Sequence, residues 1–176
     1  GLMPPAKLAG LIAAAIVADT VMFKSPTSTQ RDRRMADRMA RIANISLSEL
    51  GKEIFSASIS DDKPAETLLF TDFKDFHIAD HDFGVSQITC IDSGRMMQRK
   101  DEFLKVMQKT MEERGYTLLI LMLTDVLLEG SQLLYLGDED IITQAFGVQL
   151  KDHTCFLPGI VSRKKQVIPS LTALWG

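Results

Sequence analysis

A mixed α/β fold is what this chain predicts: a mixed β-sheet flanked by helices and preceded by a helical N-terminal segment. Three observations predict it. Two short runs, 73–78 and 83–91, alternate apolar and polar residues as half-buried strands do. A continuous apolar run, 116–123, reads as a central strand covered on both faces. Around them, and through the first third of the chain, apolar residues recur at helical spacing. Strands and helices therefore interleave, the pattern of an α/β domain.

The bulk properties exclude several classes. At 176 residues the chain suits one domain, or one domain plus a fragment, and can bury a sizeable core. Its 45% hydrophobic and 24% charged residues are ordinary globular composition. The net charge of -3 leaves no basic excess, so general nucleic-acid binding is not expected and any anion site must be local. Asp19 and Asp125 interrupt the longest apolar runs, 8–23 and 117–128, and both runs are short for a bilayer span, so no membrane association is expected. No basic segment with a following cleavage pattern opens the chain. Cys90 and Cys155 form no CxxC pair and read as buried, reduced thiols of a cytoplasmic protein.

In chain order, Pro4-Pro5 leads into a helix that is apolar nearly all round and should be buried. A chain that opens on such a helix looks cut from something larger. Asp19 ends it, at the unfavourable negative end of the dipole. It caps a following turn, bonds Thr20, or holds a metal. Pro26 breaks the chain, and Thr27, Ser28 or Thr29 caps a charged helix over 30–43, with Met35, Met39 and Ile42 as its stripe. A third helix follows, capped by Ser46 or Ser48. Residues 56–63 are small and polar and precede Pro64, so they read as a linker between a helical segment, 1–55, and a second domain, 64–176.

The second domain opens on a short helix, 64–70, and a hairpin turning at 79–82. Lys74 shares a strand face with Phe76 and Ile78, so its stem packs while its ammonium faces either a cleft or open solvent. Asp92 or Ser93 caps one long helix to Arg114, and Gly115 closes it. A turn at 129–131 leads to a strand over 132–137, and Asp138 caps a helix over 139–146. Residues 155–157 and 160–161 are short strand or loop. His77 and His81 fall on the hairpin, where Asp80 and Asp82 form turns, so they are not a helical metal pair.

The last notable stretch is Val161-Ser162-Arg163-Lys164-Lys165-Gln166. Three consecutive cations sit between apolar flanks, unlike a basic tail in polar sequence. It is either a solvated turn or a site for a compact anion.

Three separated stretches together resemble the family II inorganic pyrophosphatases, the manganese- or cobalt-dependent enzymes of the DHH phosphoesterase superfamily. Residues 8–27, with Ala18-Asp19-Thr20 and Lys24-Ser25-Pro26-Thr27, look like the end of that family's N-terminal domain. Asp72-Phe73-Lys74-Asp75-Phe76 resembles its substrate-lysine strand, and residues 161–169 its C-terminal signature.

The resemblance implies that Asp19 is a metal ligand and that Lys74, Arg163 and Lys164 hold pyrophosphate. It implies manganese or cobalt, with magnesium, in a full-length enzyme whose two domains close over the substrate. The family's Asp-His-Asn loop and Asp-His-His triplet are absent here. No catalytic residue is therefore expected within this chain alone, no metal stably bound by it and no useful turnover. Its partner would be the missing N-terminal domain of the same polypeptide. The apolar face of residues 8–21 points to self-association, a homodimer among the expected forms. An exopolyphosphatase or Prune-like phosphoesterase, and a non-catalytic anion-binding module, are the alternative functions.

Overall fold

The computed structural model describes residues 3–57 and 63–175. The chain divides into two compact units, Gly1–Ser60 and Asp61–Gly176.

The first unit contains α1 (Ala6–Asp19), α2 (Gln30–Ala43) and α3 (Leu47–Ala57). α1 buries Ala9, Ala13 and Val17, and α2 buries Ala36, Met39 and Ala40. These small residues let the two helices approach closely; a Cβ at Gly10 would lie 3.7 Å from the Ala43 methyl. The buried stripe of α2 is thus shifted from the one expected, and Met35 stays 38% exposed. All-round burial of α1 is met on one side only. Leu8 and Leu11 are 48% and 63% exposed, because α2 and α3 cover a single side.

Thr29 and Asp32 form a capping box at the start of α2, and their hydrogen bonds hold the Asp32 carboxyl below its ordinary value. Ser46 Oγ accepts from Glu49 N at the start of α3. α3 runs through Ala57, so the first two residues of the expected linker are helical. Residues 58–62 of that linker lie outside the described residues.

The second unit contains α4 (Ala65–Thr71), β1 (Phe73–Ile78), β2 (His81–Cys90), α5 (Ser93–Met97), α6 (Lys100–Arg114), β3 (Leu118–Asp125), β4 (Gly130–Gly137), α7 (Glu139–Phe146), β5 (Thr154–Pro158), a π-helical turn (Arg163–Val167) and α8 (Ile168–Trp175). The five strands lie in sequence order, and only β2 and β3 run parallel. Helices cover both faces. α4, α5 and α6 pack on one, with Leu68, Leu69, Met96, Phe103 and Met107 buried. α7, the π turn and α8 pack on the other, where Phe83, Val85, Ile120, Tyr135, Val167 and Leu171 share one apolar core.

Several local features differ from the pattern read in the sequence. The hairpin between β1 and β2 turns on Ala79 and Asp80, both left-handed (φ 46° and 65°). Asp82 instead pairs with His77 at 2.7 Å, and His81 stacks on Trp175. The single helix expected up to Arg114 is two. Asp92 caps α5 through Arg95 N. The chain then bends at Gln98-Arg99, where Arg99 ties Lys63 O and Glu102 together. The turn expected at 129–131 falls earlier, so Gly130 and Ser131 belong to β4. β4 ends at Gly137, whose φ of 116° and contact with the Thr117 carbonyl leave no room for a Cβ. α8 was not expected. Pro169 reads as a breaker, but it sits in the first turn of the helix, where its missing N–H costs nothing.

Both cysteines are buried. Burial pushes the Cys155 thiol up to about 11. Tyr135, fully buried, donates to Glu139 Oε1 at 3.2 Å; burial and that carboxylate push its phenol up to about 12. Both pKa values are raised on folding, so the folded chain keeps protons that the unfolded chain releases. Their contribution is intact below about pH 9 and is lost as pH rises through 11 to 12. Melting temperature is expected to fall steadily from pH 9 to 11. Tyr135→Phe should flatten the part above pH 10, and an unchanged slope there would contradict the assignment.

Candidate anion-binding site

The segment that carries the three cations is held by a complete set of backbone hydrogen bonds. Gly159 N donates to Glu129 O (2.8 Å) and Ile160 N to Leu157 O (3.4 Å). Val161 N and Ser162 N both donate to Gln166 Oε1, at 2.9 and 3.0 Å. Gln166 Nε2 returns a bond to Gly159 O at 2.8 Å. Ile160 O accepts from Ser131 Oγ (2.7 Å) and Val161 O from Gln87 Nε2 (3.1 Å). Ser162 O accepts from Gln166 N and Val167 N, and Ser162 Oγ caps the π turn by accepting from Lys165 N. Within Ser162–Gln166, the two neutral residues thus build the loop. A π turn is rare and recurs at functional sites.

The three cations divide in role. Arg163 is 7% exposed. Its Nη1 donates to Asp72 O (2.8 Å) and Val85 O (3.0 Å), and its Nη2 to Asp72 Oδ1 (2.6 Å). Three of its five donors are therefore committed to the protein; Nε and one Nη2 hydrogen remain. Lys164 and Lys165 are exposed. Neither lysine ammonium takes part in a hydrogen bond or ion pair among the described residues.

Lys74 is exposed on β1. It lies directly opposite Val85, and Asp72 is two residues before it. Directly opposed residues share a sheet face, and so do residues two apart. Arg163 consequently grips both neighbours of Lys74, on the face that carries the π turn. The structure brings together the Lys74 strand and the Arg163-Lys164 turn, 91 residues apart at the Arg163–Asp72 pair. They meet toward the C-terminal end of parallel β2 and β3, where open α/β sheets bind ligands.

Asp19 lies in the first unit, exposed, as the last residue of α1. It does not cap the turn that follows. Thr20 does so, with Oγ1 donating to Ile16 O (2.6 Å) and accepting from Phe23 N (3.1 Å). Val21, Met22 and Phe23 then run left-handed in succession, at φ 49°, 52° and 66°. No group of three or more His, Cys, Asp or Glu side chains among the described residues is arranged to hold a metal. A single exposed carboxylate does not fit a manganese or cobalt site, so no metal-dependent step is assigned to these residues.

Sequence reading missed four supports of the loop: Asp72, Gln87, Thr124 and Ser131. Thr124 and Ser131 are fully buried, and they are linked at 2.9 Å. A polar residue inside an otherwise apolar strand was the only signal, and its partner is visible only once the register is known.

No helix of the described residues is long and apolar enough to cross a membrane. Comparison with known proteins adds the family. Residues 52–174 match the model of the DHHA2 domain. The chain is 39% identical to the manganese-dependent inorganic pyrophosphatase of Methanocaldococcus jannaschii, over 93% of this chain and 54% of that protein. It is 42% identical to the cobalt-dependent inorganic pyrophosphatase of Clostridium perfringens, over 99% of this chain and 32% of that protein. A crystal structure of a Methanococcus jannaschii protein assigned to the family II inorganic pyrophosphatases superposes with a TM-score of 0.85 at 36% identity, covering 99% of this chain and 57% of that one. The chain spans about half the length of the manganese-dependent relative and of the solved structure, and a third of the cobalt-dependent one. With the family model covering most of its length, the chain belongs to the DHHA2 domain family.

Proposed function

We propose that this chain is the pyrophosphate-holding part of a metal-dependent inorganic pyrophosphatase, which cleaves pyrophosphate to two phosphates. One observation carries the reading: Arg163 ties the turn bearing Lys164 to the two residues beside Lys74. On this reading the exposed Lys74 and Lys164, from two distant stretches, serve one anion. Lys74 and Lys164 act as point charges on phosphate oxygens, and Arg163 adds its two uncommitted donors. The names of the relatives support the substrate class.

Hydrolysis needs a hydroxide made at neutral pH, which bridging metals supply in such enzymes. The donors for that chemistry, with Asp19 as one of them, belong to a longer polypeptide. The half-length match to the relatives and the exposed Leu8 and Leu11 support an N-terminal domain as the partner of α1. Self-association through the same face, giving a homodimer, is the competing occupant, and a monomer in sedimentation would dispose of it. Two buried cysteines far apart in sequence support a reducing, cytoplasmic setting.

Isothermal titration of pyrophosphate into the chain tests the core of this reading. Lys74→Ala and Lys164→Ala are each expected to weaken binding about tenfold, roughly 1.4 kcal/mol. Unchanged affinity in both variants would overturn it. Metal-dependent turnover by the 176-residue chain itself would refute the division of labour.

A further inference from the structure

The cation loop rests on a relay of neutral side chains that the proposed function leaves without a role. Gln87 Nε2 donates to Thr124 Oγ1 at 2.9 Å and to Val161 O at 3.1 Å. Ser131 Oγ donates to Ile160 O, so its bond to Thr124 must be one in which the threonine hydroxyl donates. The sense of the relay is therefore fixed: Gln87 to Thr124, Thr124 to Ser131, Ser131 to the loop. These residues come from β2, β3 and β4, the three central strands of the sheet. Gln166 also engages the same loop through both ends of its amide, its oxygen accepting twice and its nitrogen donating once.

We propose that Gln87 and Gln166 are positioning residues for pyrophosphate, acting through the backbone of residues 159–162 on the cations that follow. This inference rests on the pyrophosphate-holding reading. Neither amide needs to touch the ligand. Gln87 fixes the Val161 carbonyl and so the direction in which the chain enters the π turn. Gln166 fixes the Val161 and Ser162 N–H groups, which sets the pitch of the turn presenting Lys164. Both are uncharged, so their removal alters the aim of the cations and not their number.

The choice of neutral anchors has a chemical reason. A carboxylate in place of Gln87 could not donate to the Val161 carbonyl, and in place of Gln166 it would lose the bond to Gly159 O; in either place it would also cancel part of the field that attracts the anion. An ammonium there would offer a competing site. The Gln87 and Gln166 amides and the Ser131 hydroxyl bond the loop backbone without altering the local charge. The loop is then already ordered when the anion arrives, so binding does not have to supply the cost of ordering it.

The test uses the chain as it stands, with inorganic pyrophosphate as probe and Gln87→Met and Gln166→Met as separate variants. Methionine keeps length and neutrality and removes the hydrogen bonds. Titrations run over a series of salt concentrations, well below the melting temperature of each variant. Affinity is expected to fall about tenfold in either variant. The slope of log Kd against log salt, which follows the screened attraction between the cations and the anion, should become shallower. A variant that is merely less stable would keep both values in its folded fraction. If wild type binds and both variants bind with the same affinity and slope, the inference is overturned while the pyrophosphate reading stands. If wild type does not bind pyrophosphate, that reading falls, and this one with it. Should one variant fail to fold, the other decides by the same two readouts.

Discussion

Arg163→Met is expected to lower the stability of the second unit by about 3 kcal/mol and to weaken pyrophosphate binding well beyond tenfold. Arg163 is 7% exposed, and its charged guanidinium makes three donations to Asp72 and Val85, one of them to a carboxylate. Hydrogen bonds to a charged group contribute roughly 1.5–3 kcal/mol each, of which the ion-paired one to Asp72 is the largest part. Asp72 is half exposed, so water recovers part of the loss on its side and the total stays near the lower end of buried-pair deletions. For a unit of this size the change corresponds to a drop of about 10 °C or more in melting temperature. Arg163→Lys should sit between, because it keeps the charge and loses the fork. A shift of less than about 2 °C for Arg163→Met would show that the anchor contributes little. Retained affinity in the same variant would remove Arg163 from the anion site.

Asp125→Ala is expected to cost as much, about 3 kcal/mol, with no direct effect on the cations. Asp125 is a 2% exposed carboxylate at the end of β3 that accepts three backbone N–H groups. Oδ2 takes Ser93 N at the start of α5 (2.8 Å), and Oδ1 takes Leu127 N and Leu128 N in the following turn (3.0 and 2.9 Å). Alanine leaves these donors without their acceptor, at roughly 1 kcal/mol or more each. Asp125→Asn should lose less, since its carbonyl can still accept from the turn while its NH2 faces Ser93 N. Chemical denaturation gives the size. Hydrogen exchange locates it, with faster exchange expected at residues 93–97 and 126–129. Exchange that rises evenly over the unit would contradict the local role.

The sheet was legible where hydrophobic period alone determines structure. The 73–78 strand and the Gly115 cap follow from local rules, and the structure has them in place; the apolar strand expected over 116–123 is found two residues later, at Leu118–Asp125. The break at Gln98-Arg99 was not legible, because Arg99 bends the chain through Lys63, which is 36 residues away. Nor was α8, because Pro169 is a breaker by type and harmless by position. At the site, residue types left Lys74 and the 163–165 cations open between solvent and an anion, and the family resemblance pointed to Lys74, Arg163 and Lys164. They could not show that Arg163 faces inward, since its acceptors, Asp72 and the Val85 carbonyl, are remote in sequence. Asp72 was visible only as a neighbour of Lys74; its grip on Arg163 is a matter of tertiary register.

The strands lie in the sheet in the order in which they occur in the chain. On a ribosome, each new strand therefore emerges next to a partner already made. The one parallel pairing waits for the α5–α6 crossover, whose closure entropy grows only slowly with its length. The anion site follows a different schedule. Its Arg163–Asp72 bond spans 91 residues, and Gln166 must be made before the loop can be tied. The sheet can thus be complete while the turn that carries the three cations is still untied.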